Sequence, residues 1–160
     1  MDNLVEIIKI RDRKFKALKA AENAQQQSLN AAGEKLKTAR QNMLDYADEV
    51  KHLETEMLNE LVGKELDKSE LLMVEHILAR ATQNAELLLQ QFNTAEQELN
   101  ACTDQLQSVR THRVEMQQRL NRIQEVNAEY QKEARKANKA IVEAAEAEAA
   151  EAAYINRRCF

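Results

Sequence analysis

The sequence predicts an all-α protein: a long antiparallel two-helix coiled-coil hairpin whose second helix extends past the first as a C-terminal overhang. Three observations indicate this fold. The 160 residues contain no proline and only two glycines, the two residue types that cost a helix interior about 3 and 1 kcal/mol. Charged residues make up 31% of the chain and aromatic residues only 4%, which is typical of coiled coils. Apolar residues also recur at alternating steps of four and three, which is the heptad pattern.

The first helix is predicted over residues 2–62. Steps of four and three from Leu4 reach Glu60 through seventeen positions, of which thirteen are apolar. This run of about eight heptads is longer than the three or four that indicate a coiled coil. The pattern keeps its phase across Gly33, so this glycine is expected to weaken the helix without ending it.

A turn is predicted over residues 63–67, because the two heptad patterns do not share a register across residues 61–70. Gly63 suits the left-handed position just past a helix end. Asp67 is a good N-cap, and Glu70 stands three residues later, as in a capping box. A short connection between two long apolar patterns predicts that the chain doubles back on itself.

The second helix is predicted over residues 68–157, and the whole chain, 1–160, is expected to form a single hairpin domain. Twenty of the twenty-two heptad positions from Leu71 to Ala144 are apolar. At about 1.5 Å per residue the helices would span roughly 90 and 135 Å. Pairing outward from the turn places Leu4 opposite Asn127. The remainder of helix two then extends beyond helix one.

The same alignment puts two charged heptad residues, Glu22 and Arg113, in one layer. Such a pair can fix the register of a coiled coil. The alternative is that both side chains extend to water.

No arrangement of residues in the sequence predicts catalysis, a metal site or a cofactor. The histidines His52, His76 and His112 are scattered, and Cys102 and Cys159 lie far apart. The net charge of −4 is too mild to indicate a nucleic-acid-binding protein. The N-terminus lacks the features of a signal peptide, and no apolar run approaches the length of a membrane span. A cytoplasmic, non-enzymatic protein without membrane insertion is therefore expected.

Three surface regions are candidate binding sites, and the first is the tip, residues 58–80 at the closed end of the hairpin. The tip carries more apolar side chains than a two-helix seam can cover, since Leu72, Met73 and Ile77 fall outside the heptad register. An excess of exposed apolar area usually marks a contact site. The alternative is that the turn folds back and buries these side chains locally.

The second candidate region is a basic collar near the start of the chain. It could dock on an acidic partner surface, or it could be an ordinary solvated helix face. In the predicted hairpin it would lie near Arg110, Arg113, Arg119 and Arg122. The basic collar consists of Lys9, Arg11, Arg13, Lys14, Lys16 and Lys19.

The third candidate region is the overhang, residues 134–158. Ten alanines fall within 134–153, and alanine is the best helix former. Ala137, Ile141 and Ala144 continue the heptad pattern. Arg157 and Arg158 suit the negative end of the helix dipole. The overhang is either a frayed, solvated tail or a helix that binds a partner, and its small side chains leave a homodimer open.

The chain begins with Leu4, Ile7 and Ile10 at spacings of three, followed by Arg11 and Lys14. This opening is similar to that of YscO-type proteins. Together with the absence of proline and a single turn before the middle of the chain, it resembles the FliJ/YscO family of type III export stalk proteins. The resemblance covers the whole chain in architecture and favours the injectisome branch over the flagellar one.

The resemblance implies a coiled coil similar to the central stalk of rotary ATPases. Its partners would be the type III export ATPase ring, the cytoplasmic domain of the export gate and secretion chaperones. Contacts with the gate would fall among Leu72, Met73, His76, Ile77 and Arg80. The end facing the ATPase would combine the basic collar with the overhang, including Ala137, Ile141, Ala144, Arg157 and Arg158.

Two other functions remain open from the sequence. One is a generic cytoplasmic coiled-coil adaptor or scaffold that uses the same tip and overhang. The other is a helical protein that binds nucleic acid or anionic lipid through the basic collar, although the interleaved aromatic residues common in such proteins are missing. The favoured hypothesis is a non-enzymatic stalk or escort component of a type III secretion apparatus.

Overall fold

The computed structural model describes residues 2–159. Helix α1 spans Asp2–Leu61 and helix α2 spans Lys68–Cys159. No strand occurs in this part of the chain, so the predicted all-α helical hairpin is confirmed. The ends differ slightly from the sequence prediction: Val62 already belongs to the turn, and α2 continues past residue 157 to Cys159.

The chain divides into two compact units. We call Ala20–Arg110 the turn unit, because it contains the connection between the helices. The segments on either side of it make up the second, which we call the terminal unit. Each unit contains part of α1 and part of α2. That the whole chain behaves as a single domain remains a prediction.

The helices of the turn unit run antiparallel, as four contacts between them show. The hydroxyl of Tyr46 donates to a backbone carbonyl at 3.3 Å, an arginine lies 5.9 Å from a ring centroid, and two ion pairs measure 3.9 and 3.3 Å. Partner numbers rise along α2 as numbers fall along α1. The pairs are Tyr46 with Ala81, Arg40 with Phe92, Lys35 with Glu98, and Glu22 with Arg110.

Burial in both helices follows the heptad pattern. Every heptad position of α1 from Leu4 to Met57 is buried or half-buried, and so is every heptad position of α2 from Leu88 to Asn127. The core is therefore a narrow stripe on each helix, as expected for the 3.5-residue repeat of a coiled coil. Its buried members among the described residues are Ala32, Ala81, Ala95, Leu106 and Leu120.

Two charged side chains at heptad positions of α1 form hydrogen bonds with residues of α2. In the terminal unit, Arg11 donates from its guanidinium to the backbone carbonyl of Arg119 at 3.2 Å. In the turn unit, Glu22 accepts from Nε of Arg110, which also donates to Oε1 of Gln26 at 3.0 Å. Pairing of the two heptad patterns places Glu22 opposite Arg113, which lies one helical turn further along α2. The contact with Arg110 supplies a charged partner for Glu22 within the turn unit, and such polar pairs help to fix register.

The turn is shaped by one glycine and one cap. Gly63 has φ of 82°, a left-handed conformation that residues with a Cβ adopt at a cost. The backbone N–H of Lys64 donates to the carbonyl of Leu61 at 3.3 Å. Asp67 accepts the backbone N–H of Glu70 on Oδ1 at 2.8 Å. Asp67 thereby satisfies one of the free donors at the start of α2.

Alanine substitutions at the two glycines are predicted to shift stability in opposite directions. Gly33→Ala should raise the free energy of unfolding by about 0.5–1 kcal/mol, because Gly33 lies inside α1 and an added Cβ meets no atom within 4 Å. Gly63→Ala should lower it by about 1–2 kcal/mol, the cost of a left-handed L-residue. Urea unfolding followed by circular dichroism measures both. Equal effects of the two substitutions would contradict this account of the turn.

Candidate partner-binding surfaces

The tip leaves large apolar side chains in solvent. Met73 is 68% exposed and Leu72 is 58% exposed. Leu71 and Leu78 are also exposed, although both occupy heptad positions, which are covered everywhere between Leu88 and Asn127. Two of the heptad positions of α2 nearest the turn are therefore left in solvent, although Val74 between them is half-buried. The turn does not bury these side chains locally, which was the alternative left by the sequence.

A groove of about 440 Å³ lies at the tip, between the two helices and beneath the turn. We call it the tip groove. Both helices supply its apolar floor, and the turn adds one leucine. The floor consists of Leu53, Met57 and Leu61 from α1, Leu66 from the turn, and Met73, Val74 and Ile77 from α2.

The rim of the tip groove is acidic. Glu56 and Glu60 line it on α1, Glu70 lines it on α2, and Lys64 is the one cation among its lining residues. None of the ion pairs found among residues 2–159 involves these three carboxylates. The lining residues of the groove therefore carry a net negative charge beside an apolar surface, offset only in part by Lys64.

The residues that the resemblance assigns to the export gate lie close together on α2. Met73, His76, Ile77 and Arg80 have the spacing i, i+3, i+4, i+7 and therefore share one helix face. Met73 and Ile77 line the tip groove. His76 and Arg80 line an adjoining shallow depression. Leu72 lies about a quarter turn away on the exposed side of the helix.

The basic collar is not a single surface. Lys9, Arg13 and Lys16 are exposed and follow the spacing i, i+4, i+7, so they share a face of α1. Lys16 forms an ion pair of 2.9 Å with Asp12. Arg11 is half-buried and hydrogen-bonded to α2 within the terminal unit, so it is withdrawn from the solvent-facing group.

The remaining basic residues of the collar, and the arginines of α2 expected beside it, differ in their exposure and in the unit to which they belong. Lys14 and Lys19 are exposed on other sides of α1. On α2, Arg119 and Arg122 are exposed, whereas Arg113 is half-buried. Arg110 belongs to the turn unit. The solvent-facing charge of the collar is therefore carried mainly by lysines and by Arg13.

The overhang is helical as far as Cys159 and exposed along its length. Ala134 is half-buried, and each residue from 135 to 159 is exposed, including Ala137 and Ala144. Ile141 is 66% exposed. Near the C-terminus, the guanidinium of Arg158 lies 5.4 Å from the centroid of the Tyr154 ring. Arg157 and Arg158 occupy the last turn of α2, where cations complement the helix dipole.

Among residues 2–159, no three His, Cys, Asp or Glu side chains are grouped as a metal site would need. Neither α1 nor α2, as described, contains a stretch apolar enough to cross a bilayer. Cys102 is half-buried at a heptad position and Cys159 is exposed, and both are free thiols.

A family model described as "Type III secretion protein YscO" matches residues 4–153. The chain belongs to the YscO family of type III secretion proteins. The match covers both helices and the turn, so it includes the tip, the basic collar and most of the overhang. YscO proteins are secretion components and not a known enzyme family. No curated protein and no solved structure matches the chain.

Family membership confirms the YscO part of the resemblance drawn from the sequence. The likeness to FliJ and the injectisome branch remain predictions, as do the roles of individual residues. Sequence reasoning missed the acidic rim of the tip groove, because its carboxylates come from two helices and become neighbours only when the chain turns. The available signal was charge: seven carboxylates and two lysines lie between Leu53 and Ile77.

The exposure of the tip predicts that its apolar residues contribute little to folding. Leu72→Ser combined with Met73→Ser should change the free energy of unfolding by less than about 0.5 kcal/mol each. Leu106→Ala should cost about 2–4 kcal/mol, because Leu106 is 3% exposed. Thermal or urea unfolding of the purified variants measures both. A large loss of stability in the tip variant would show that these side chains are buried in solution.

Proposed function

We propose that this YscO-family protein is a non-enzymatic central-stalk or escort component of a type III secretion apparatus of the injectisome branch. It would link the export ATPase ring to the export gate and to secretion chaperones. The observation that carries the proposal is the family match over residues 4–153, which falls on a two-helix hairpin. A protein of this kind works through surfaces and ends, since paired helices offer no deep pocket for chemistry.

Two exposed surfaces support the proposal that the protein binds more than one partner. The tip presents apolar side chains that folding does not cover, and the overhang presents a helix without cover from α1. We propose that the tip, through Leu72, Met73, His76, Ile77 and Arg80, contacts the cytoplasmic domain of the export gate. Large exposed apolar patches on a folded protein usually mark such contacts.

The ATPase-facing end would combine the basic collar with the overhang, through Ala137, Ile141, Ala144, Arg157 and Arg158. The proposed location is the cytoplasm, at the periphery of the secretion apparatus. Neither nucleic acid nor a membrane is a partner in this proposal. A homodimer formed through the overhang is a further arrangement that the exposed alanine-rich helix permits.

The proposed ATPase contact is tested with the purified export ATPase of the same secretion system. Addition of the protein should promote hexamer formation or raise ATP hydrolysis, and Ala137→Glu combined with Ile141→Glu should abolish the effect, because charge disrupts an apolar helix contact. Analytical ultracentrifugation and phosphate release measure it. Glu146→Ala with Glu151→Ala, on the same segment, serves as a control. No effect of the wild-type protein on the ATPase would contradict the stalk role.

The proposed gate contact is tested with the cytoplasmic domain of the export gate. Leu72→Ser with Met73→Ser should abolish binding measured by calorimetry while leaving helicity unchanged. The matched control is Leu44→Ser with Leu87→Ser, which removes two comparably exposed apolar residues from elsewhere in the turn unit. If the tip variant binds the gate domain as well as the control does, the tip assignment is wrong.

A generic coiled-coil adaptor is the alternative function, and the same experiments distinguish it. An adaptor of another system would bind neither the export ATPase nor the gate domain. A protein that binds nucleic acid or anionic lipid through the collar would instead show binding that falls steeply with salt. Either outcome would overturn the proposed function.

A further inference from the structure

We propose that the tip groove binds a basic amphipathic segment of a partner protein, meaning an apolar stripe flanked by lysine or arginine. The inference rests on the proposed function for its biological setting, since it specifies the chemistry of the partner that the tip contacts. It depends on two properties of the groove: an apolar floor that is partly exposed and an acidic rim without ion-pair partners.

The floor presents apolar side chains that the hairpin itself leaves partly in solvent. Along most of the hairpin, heptad side chains of α1 and α2 cover each other. In the groove, Met73 is 68% exposed and Ile77 is 36% exposed, whereas the heptad residue Val74 is half-buried. An apolar stripe inserted there would bury these side chains, as helices do in the hydrophobic grooves of other proteins.

The negative charge of the rim favours a segment that carries positive charge. Glu56 and Glu60 stand on one wall of the groove and Glu70 on the other, with Lys64 as the only cation among the lining residues. Because a cationic segment would meet carboxylates on both sides, its Lys or Arg residues could pair with either wall. Complementary charge of this kind steers association and excludes partners of the wrong sign.

The same charge argues against the other classes of occupant. Anionic membranes and nucleic acids would be repelled by the seven carboxylates between Leu53 and Ile77, which include the three of the rim and outnumber the two lysines of that segment. A second copy joined tip to tip would bring two acidic rims together. A partner protein with a basic amphipathic segment would place its apolar stripe on the floor and its basic residues beside the acidic rim.

The test uses the full-length protein and two labelled synthetic peptides. The first is helical, with leucines at i, i+3, i+4 and i+7 and lysines on the flanking positions. The second carries glutamate in place of every lysine. Fluorescence anisotropy should show that the lysine peptide binds and the glutamate peptide does not. Binding should weaken as salt rises, because exposed charges are screened.

Charge-neutral variants localise the binding. Glu56→Gln, Glu60→Gln and Glu70→Gln together should weaken binding of the lysine peptide by about tenfold, as expected for three rim charges. The matched control is Glu49→Gln, Glu86→Gln and Glu96→Gln, which changes the net charge equally at exposed positions of the turn unit outside the groove. Met73→Ser should also weaken binding, since it removes part of the floor.

Several results would overturn the inference: no binding of the lysine peptide, equal binding of the glutamate peptide, or equal weakening by the rim and control variants. Tip-dependent self-association of the protein in sedimentation experiments would also overturn it, because a second copy would then be the occupant.

Failure of the inference can be told apart from failure of the proposed function by measuring the export gate domain in parallel. If that domain binds in a manner sensitive to Leu72 and Met73 but insensitive to the rim variant, the proposed function stands and the inference falls. If the lysine peptide binds the groove while the gate domain does not bind at all, the inference stands and the proposed gate contact falls.

Discussion

The structure depends on one interaction, the burial of a heptad stripe of α1 against a heptad stripe of α2. The stripe is narrow and built largely from leucine, alanine and other aliphatic residues, and Leu106 and Leu120 are among its few buried side chains. A chain with so little core gains most of its stability from the length over which the stripe continues. This explains why the sequence excludes proline and almost excludes glycine.

The same interaction determines where binding surfaces can arise. Wherever α1 and α2 cover each other, apolar side chains are used for folding. Apolar side chains off this stripe remain in solvent along the helices, as at Leu44 and Leu87, and they are concentrated at the tip beside Met73 and in the overhang around Ile141. Polar residues inside the stripe need partners of their own. Arg11 finds a backbone carbonyl within the terminal unit, and Glu22 finds Arg110 within the turn unit.

Most of the fold could be predicted from the sequence, because heptad spacing, Gly63 and the cap at Asp67 are local signals with direct structural consequences. The candidate site was only partly predictable. The excess of apolar residues at the tip was visible in the sequence. The groove and its acidic rim were not, since Glu56 and Glu70 meet only through the turn. The withdrawal of Arg11 from the basic collar likewise depended on a carbonyl 108 positions away.

The most direct test of the account measures whether α1 pairs with α2 of the same molecule. Spin labels at Lys35→Cys and Glu98→Cys, with Cys102 and Cys159 replaced by alanine, report the distance between two residues whose native side chains form an ion pair of 3.9 Å. The account predicts a short distance, typical of helix axes about 10 Å apart, that is unchanged when labelled protein is diluted with unlabelled protein. A long distance, or a short one that disappears on dilution, would contradict the hairpin.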